Sequence, residues 1–150
     1  MKKSQILLLF LRLAIGSLFI YSGFSKLVEP SSNFAGSILG YEIVSAQTAW
    51  WMAIILPWLE LVAGAFFVLG LWLKLSLYVL WGFNVMFLFA ISSALLRGIA
   101  LKDCGCFGEG ALNLPIQGTL GLDVLLFLIF FFMSRKGAGE EVFSLDHIFG

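Results

Sequence analysis

Cys104 and Cys106 stand one residue apart in the polar stretch Lys102-Asp103-Cys104-Gly105-Cys106-Phe107-Gly108-Glu109, and the chain has no other cysteine. Two thiols at this spacing suit thiol–disulfide exchange, in which one thiolate attacks a partner's sulfur and the second resolves the mixed disulfide. Gly105 permits the sharp turn needed to bring the two Cα atoms within the roughly 4.4–6.8 Å that a disulfide tolerates. A ring closed over one residue is strained, and strained disulfides are the easily reduced ones. Lys102 favours a thiolate at Cys104 while Asp103 opposes it, so local charge leaves the two effects unresolved. Two blander chemistries stay open beside exchange. A purely structural disulfide over so short a loop restricts the unfolded chain little and stabilises weakly. Paired thiolates also suit Cu(I), but the four-ligand zinc set is missing, and the single histidine, His147, reads as a solvated tail residue across the membrane from the thiols. No metal site is expected.

Ionisable residues inside apolar segments form a second constellation. Each costs roughly 2.5–3.5 kcal/mol at the centre of a membrane helix on insertion scales, so those that remain face the bundle interior and have partners. Arg12, Gly16, Phe19, Gly23 and Lys26 share one helix face, as do Ala53, Pro57, Glu60 and Gly64 on a second helix, and Thr119 with Asp123 on a fourth. The small residues permit close helix approach. At about 1.5 Å per residue, Glu60 lies about 16 Å below the outer end of its helix, and Arg12 about 10 Å above the inner end of its own. These depths predict an Arg12–Glu60 pair completed by Asn84, and leave Asp123 to meet Lys26. The bland reading of Arg12, Lys26, Glu60, Asn84 and Asp123 is a structural network that fixes helix register. The sharper one, a proton or quinone site coupled to the thiols, ranks behind it because no second titratable group falls within one turn of Glu60 or Asp123.

Both constellations need a membrane to make sense. The 150-residue chain is 61% hydrophobic and 12% charged, with 16 phenylalanines, and its mean hydropathy is +1.02. That is too little polar surface to coat a soluble globule. The lipid bilayer is therefore the first partner. Formal net charge is zero and no basic run is interleaved with aromatics, so no nucleic-acid partner is expected.

Four segments approach the roughly 20 apolar residues that cross the hydrocarbon: 6–27, 49–72, 75–96 and 115–134. The first begins like a signal peptide with Lys2 and Lys3 but is too long, carries Arg12 and lacks a cleavage pattern, so it is kept as a helix. Gly70 and Lys74 predict a tight turn between antiparallel second and third helices, and Pro115 suits the first turn of the fourth. Lys2, Lys3, Lys74, Arg135 and Lys136 gather on one side; Lys26, Arg97 and Lys102 gather on the other. The positive-inside rule then predicts cytoplasmic termini, with the C-x-C loop in an oxidising periplasm beyond a bacterial inner membrane. In the outer segment between the first two helices, Ser31, Ser32 and Asn33 suit a helix start, and Phe34, Ile38, Tyr41 and Val44 recur at helical spacing. A short amphipathic helix on the outer membrane surface is expected, although Gly36 and Gly40 weaken it. The predicted fold class is all-α, a polytopic membrane four-helix bundle with this short outer segment. The predicted division is a transmembrane domain over 1–136 and a cytoplasmic tail over 137–150. Met52, Met86 and Met133 read as packing.

The order Arg12…Gly16…Gly23…Lys26-Leu27, Pro57…Glu60…Gly64, Asp103-Cys104-Gly105-Cys106-Phe107-Gly108 and Asp123 resembles the MauE branch of the DoxX-like membrane proteins. The likeness covers about residues 6–134, and the DCGCFG string is its most specific part. It implies a four-helix inner-membrane factor for redox maturation of exported proteins. In methylamine utilisation the namesake is linked to processing, transport or disulfide formation of the small methylamine dehydrogenase subunit. By this resemblance Cys104 and Cys106 are the exchanging pair, and Arg12, Lys26, Glu60 and Asp123 the intramembrane polar set. The implied partner is a periplasmic thiol or disulfide protein. Quinone-linked disulfide generators of the DsbB and vitamin K epoxide reductase types use C-x-x-C and often a second cysteine pair. One C-x-C pair cannot relay electrons internally, so a cycle requires an external thiol protein or a quinone; Cu(I) ranks below a quinone as cofactor. The alternative is a non-catalytic assembly or transport subunit whose C-x-C is structural.

Overall fold

The computed structural model describes residues 3–99 and 116–135. Cys104, Cys106, Lys102, Pro115, His147 and the 137–150 tail lie outside the described residues. Five helices follow in order: α1 (Lys3–Val28), α2 (Ser31–Gly40), α3 (Ala46–Leu69), α4 (Leu73–Leu96) and α5 (Ile116–Arg135). All but α2 are long and apolar enough to cross a membrane, and there is no strand among the described residues. Helix α3 is the hub, packing against α1 most extensively and also against α2 and α4, while α5 lies against α4. The end holding α2 and the C-termini of α1 and α4 is called the α2 end below.

Helix boundaries follow capping chemistry, which hydropathy alone misses. Helix α3 starts three residues before the predicted Ala49 because the Ser45 hydroxyl accepts the Thr48 N–H at 3.4 Å. It stops at Leu69, short of the predicted Trp72, because Gly70 adopts the left-handed conformation. Leu71 N–H then bonds the Phe66 carbonyl at 2.9 Å and Gly70 N–H the Phe67 carbonyl at 3.3 Å, a Schellman ending. Only Gly70, Leu71 and Trp72 separate α3 from α4, and Lys74, predicted to mark the turn, lies inside α4. The same ending closes α4, with Gly98 left-handed and Ile99 N–H bonded to the Ala94 carbonyl at 3.0 Å.

Helix α2 starts at Ser31, among the expected start residues, but ends earlier than expected. Its N-cap residue is Pro30, whose carbonyl accepts the Asn33 N–H at 2.9 Å, and no side-chain hydrogen bond caps it. It ends at Gly40, so Tyr41 and Val44 fall in the turn that follows. Phe34 and Ala35 are buried, so α2 packs one face into the bundle against α3 rather than only lying on a surface.

The α1–α3 contact is made of backbone. A Cβ on Gly16 would lie 3.1 Å from the Gly64 carbonyl oxygen, and one on Gly64 would lie 3.1 Å from the Gly16 oxygen. About two turns nearer the α2 end, a Cβ on Gly23 would meet the Pro57 oxygen at 2.8 Å and the Leu61 nitrogen at 2.9 Å. Glycine is required at this crossing because any side chain would separate the helices. Pro57, with no N–H for the usual intrahelical bond, is buried against this same seam.

Candidate functional site

Lys26 projects from α1 into the centre of the bundle. Its Nζ donates to Glu60 Oε1 at 2.9 Å, to Glu60 Oε2 at 2.8 Å and to Ser22 Oγ at 3.1 Å. Ser22 Oγ in turn donates to Glu60 Oε2 at 3.1 Å. An ammonium has three N–H donors, and each of them has an acceptor here. Glu60 is 0% exposed, Lys26 2% and Ser22 4%. The cation also sits 5.0 Å from the Phe34 ring centroid and 4.8 Å from that of Phe87, within range of cation–π attraction. Thus α1, α2, α3 and α4 each contribute a group to one desolvated ion pair.

The expected Arg12–Glu60 pair is not formed, and helix direction explains why. Side chains lean toward the N-terminus of their own helix. Because α1 and α3 are antiparallel, Arg12 leans away from the α2 end and Glu60 leans toward it, so the two diverge. Lys26 and Glu60 lean toward one another. Matching Cα depths omitted this vector. Arg12 is buried and donates from Nη2 to the Val68 carbonyl at 3.4 Å. That carbonyl belongs to the last turn of α3, where backbone acceptors lack intrahelical donors and the helix dipole is negative.

Asp123 likewise does not meet Lys26, because α5 packs on α4. Asn84 Nδ2 of α4 donates to the Asp123 carbonyl at 3.2 Å and to its Oδ1 at 3.5 Å, and Thr119 is buried one turn away. Asn84 therefore belongs with Asp123, not with Glu60. Ser22 and Phe87 were missed in the sequence; Ser22 carried a usable signal, since it stands four residues before Lys26 on the same helix face. Cys104 and Cys106 lie outside the described residues. Among those residues no group of three or more His, Cys, Asp or Glu side chains could hold a metal ion.

Four apolar spanning helices closed around paired polar side chains define a polytopic helical membrane protein. The chain matches the family described as methylamine utilisation protein MauE over residues 4–135, and it belongs to that family. Neither the curated proteins nor the solved structures include a match.

Proposed function

We propose that this MauE-family protein is an inner-membrane thiol–disulfide exchange factor for the redox maturation of exported proteins, within the wider DoxX-like group. The observation that carries the reading is the lone Cys104-Gly105-Cys106 pair in the stretch joining α4 to α5. Membership in a family named for methylamine utilisation supports the maturation context. The Lys and Arg asymmetry between helix ends supports a periplasmic pair and a periplasmic partner.

In one direction, a thiolate of the pair attacks a partner disulfide, forming a mixed disulfide and expelling the partner's other sulfur as thiolate. The second cysteine then attacks the mixed disulfide, so the partner leaves as dithiol and Cys104–Cys106 is left oxidised, two electrons having passed to the partner. A second dithiol protein would return the pair to its reduced state. In the reverse direction the partner is oxidised, and a disulfide protein or a quinone takes the two electrons. By analogy with other paired-cysteine motifs, Cys104 is the attacking residue. In this reading Arg12, Lys26, Glu60, Asn84 and Asp123 position the helices that carry the pair.

Cys104→Ser and Cys106→Ser, expressed singly, test this. Loss of the resolving thiol prolongs the mixed disulfide, so at least one variant is expected to accumulate a reductant-sensitive adduct on a non-reducing gel, and the double variant none. Absence of adduct in both single variants, with wild-type function in the double variant, would overturn it. The second reading, a non-catalytic assembly or transport subunit, draws on the complete satisfaction of the Lys26 ammonium within the bundle, which a static scaffold requires.

A further inference from the structure

Between α2, α3 and α4, on the α2 side of the ion pair, lies a cleft of about 170 Å³. Phe34, Tyr41, Met52, Met86, Phe87 and Ala90 are among its lining residues. Phe34 and Phe87 form its inner wall and carry Lys26 against them. The lining is almost wholly apolar. Its volume is about ten times what one water needs, yet a water there would find few of its two to four polar partners. The cleft opens outward past exposed Ile43 and Phe89, which are among its lining residues, and at this depth the available apolar solvent is lipid.

The rim is polar where the cleft is not. Arg97, exposed at the end of α4, donates from Nε to the Ser93 carbonyl at 3.4 Å, from Nη1 to the Glu42 carbonyl at 3.5 Å and from Nη2 to the Tyr41 carbonyl. These bonds fix the guanidinium over the backbone of a cleft residue and use three of its five N–H donors. Glu42 is exposed on the same turn. Trp50 and Trp51, exposed just below the start of α3, mark a headgroup-level aromatic belt at this height.

We propose that the cleft is a phospholipid site. A segment of one acyl chain fills it, and the phosphate bonds the remaining N–H groups of Arg97. Exposed Glu42 attracts a cation beside the phosphate, so a zwitterionic headgroup with an ammonium is preferred to one that carries the phosphate charge alone. A quinone ring fits the wall poorly, because its carbonyls would be buried without donors. The site stands apart from the thiols and does not depend on their chemistry.

The test is native mass spectrometry of the full chain in mild detergent, supplied with equal phosphatidylethanolamine and phosphatidylglycerol. One phospholipid per chain is expected, with the ethanolamine lipid favoured by about threefold or more. Ala90→Phe and Met52→Phe each fill the cleft and are expected to lower retained lipid about tenfold, a loss of about 1.4 kcal/mol. Gel filtration reports whether each variant folds. Exposed Arg97→Gln, outside the packed cleft, keeps the proposal falsifiable should both fillings misfold: it is expected to lower retention of both lipids about threefold, and exposed Glu42→Gln to abolish the headgroup preference. Unchanged retention in the folded filling variants, or in Arg97→Gln when neither folds, overturns the proposal. So does a retained quinone mass in place of phospholipid from native membranes.

Discussion

Lys26 and Glu60 carry opposite charges into a place where neither could stand alone. The ammonium uses all three hydrogens on the carboxylate and Ser22, so removing either charge strands the other. Breaking a buried pair costs about 3–5 kcal/mol, whereas replacing both members with apolar groups of similar volume is often neutral or better. Lys26→Met and Glu60→Leu are each expected to lower the folded yield and the Tm in detergent, and the double variant to recover most of the loss. Additive losses would show that the pair does not act as a unit. At this scale the sequence was informative about which polar residues sit inside the bundle but not about who meets whom. Arg12, Lys26, Glu60, Asn84 and Asp123 stood out because charge and amide are rare in apolar runs. Their pairing depended on side-chain direction and on α5 choosing α4, which spacing along one helix does not encode.

Elements were legible wherever an apolar run was long, and least legible at their ends. Ser45 and Gly70 moved both bounds of α3 by local hydrogen bonding that hydropathy does not register. The glycine face of α1 was readable as a packing surface, and its partner is the Pro57–Gly64 face of α3. One methyl group measures this contact. Gly23→Ala would press a Cβ against α3 backbone at 2.8 and 2.9 Å, and is expected to destabilise by about 1–3 kcal/mol through overpacking. Gly36→Ala in α2 meets nothing within 4 Å and is expected to be neutral or stabilising by up to about 1 kcal/mol, since alanine suits a helix interior better than glycine. Thermal unfolding of the two variants side by side checks both signs. An equal loss at both positions would show that helix propensity, not the close approach, governs Gly23.

At the scale of the whole molecule, the four spans among the described residues put the start of α1 and the end of α5 on one side, and the end of α4 and the start of α5 on the other. With the basic residues distributed as they are, the termini are expected to face the cytoplasm and the thiols the outside. After mild reduction, a membrane-impermeant thiol reagent should label the chain in intact spheroplasts; labelling only after lysis would mean an inverted orientation or shielded thiols. The sequence could announce the bundle because lipid demands long apolar helices, but not the cleft between α2, α3 and α4, which exists only once three separate segments pack. The central position of α3 also bears on how the chain is made. Emerging before α3, α1 brings Arg12 and Lys26 into the bilayer, while the Val68 carbonyl and Glu60 carboxylate that receive them are synthesised dozens of residues later. Until then α1 carries two uncompensated cations. Helices α1 and α3 are therefore expected to enter the lipid together as a hairpin.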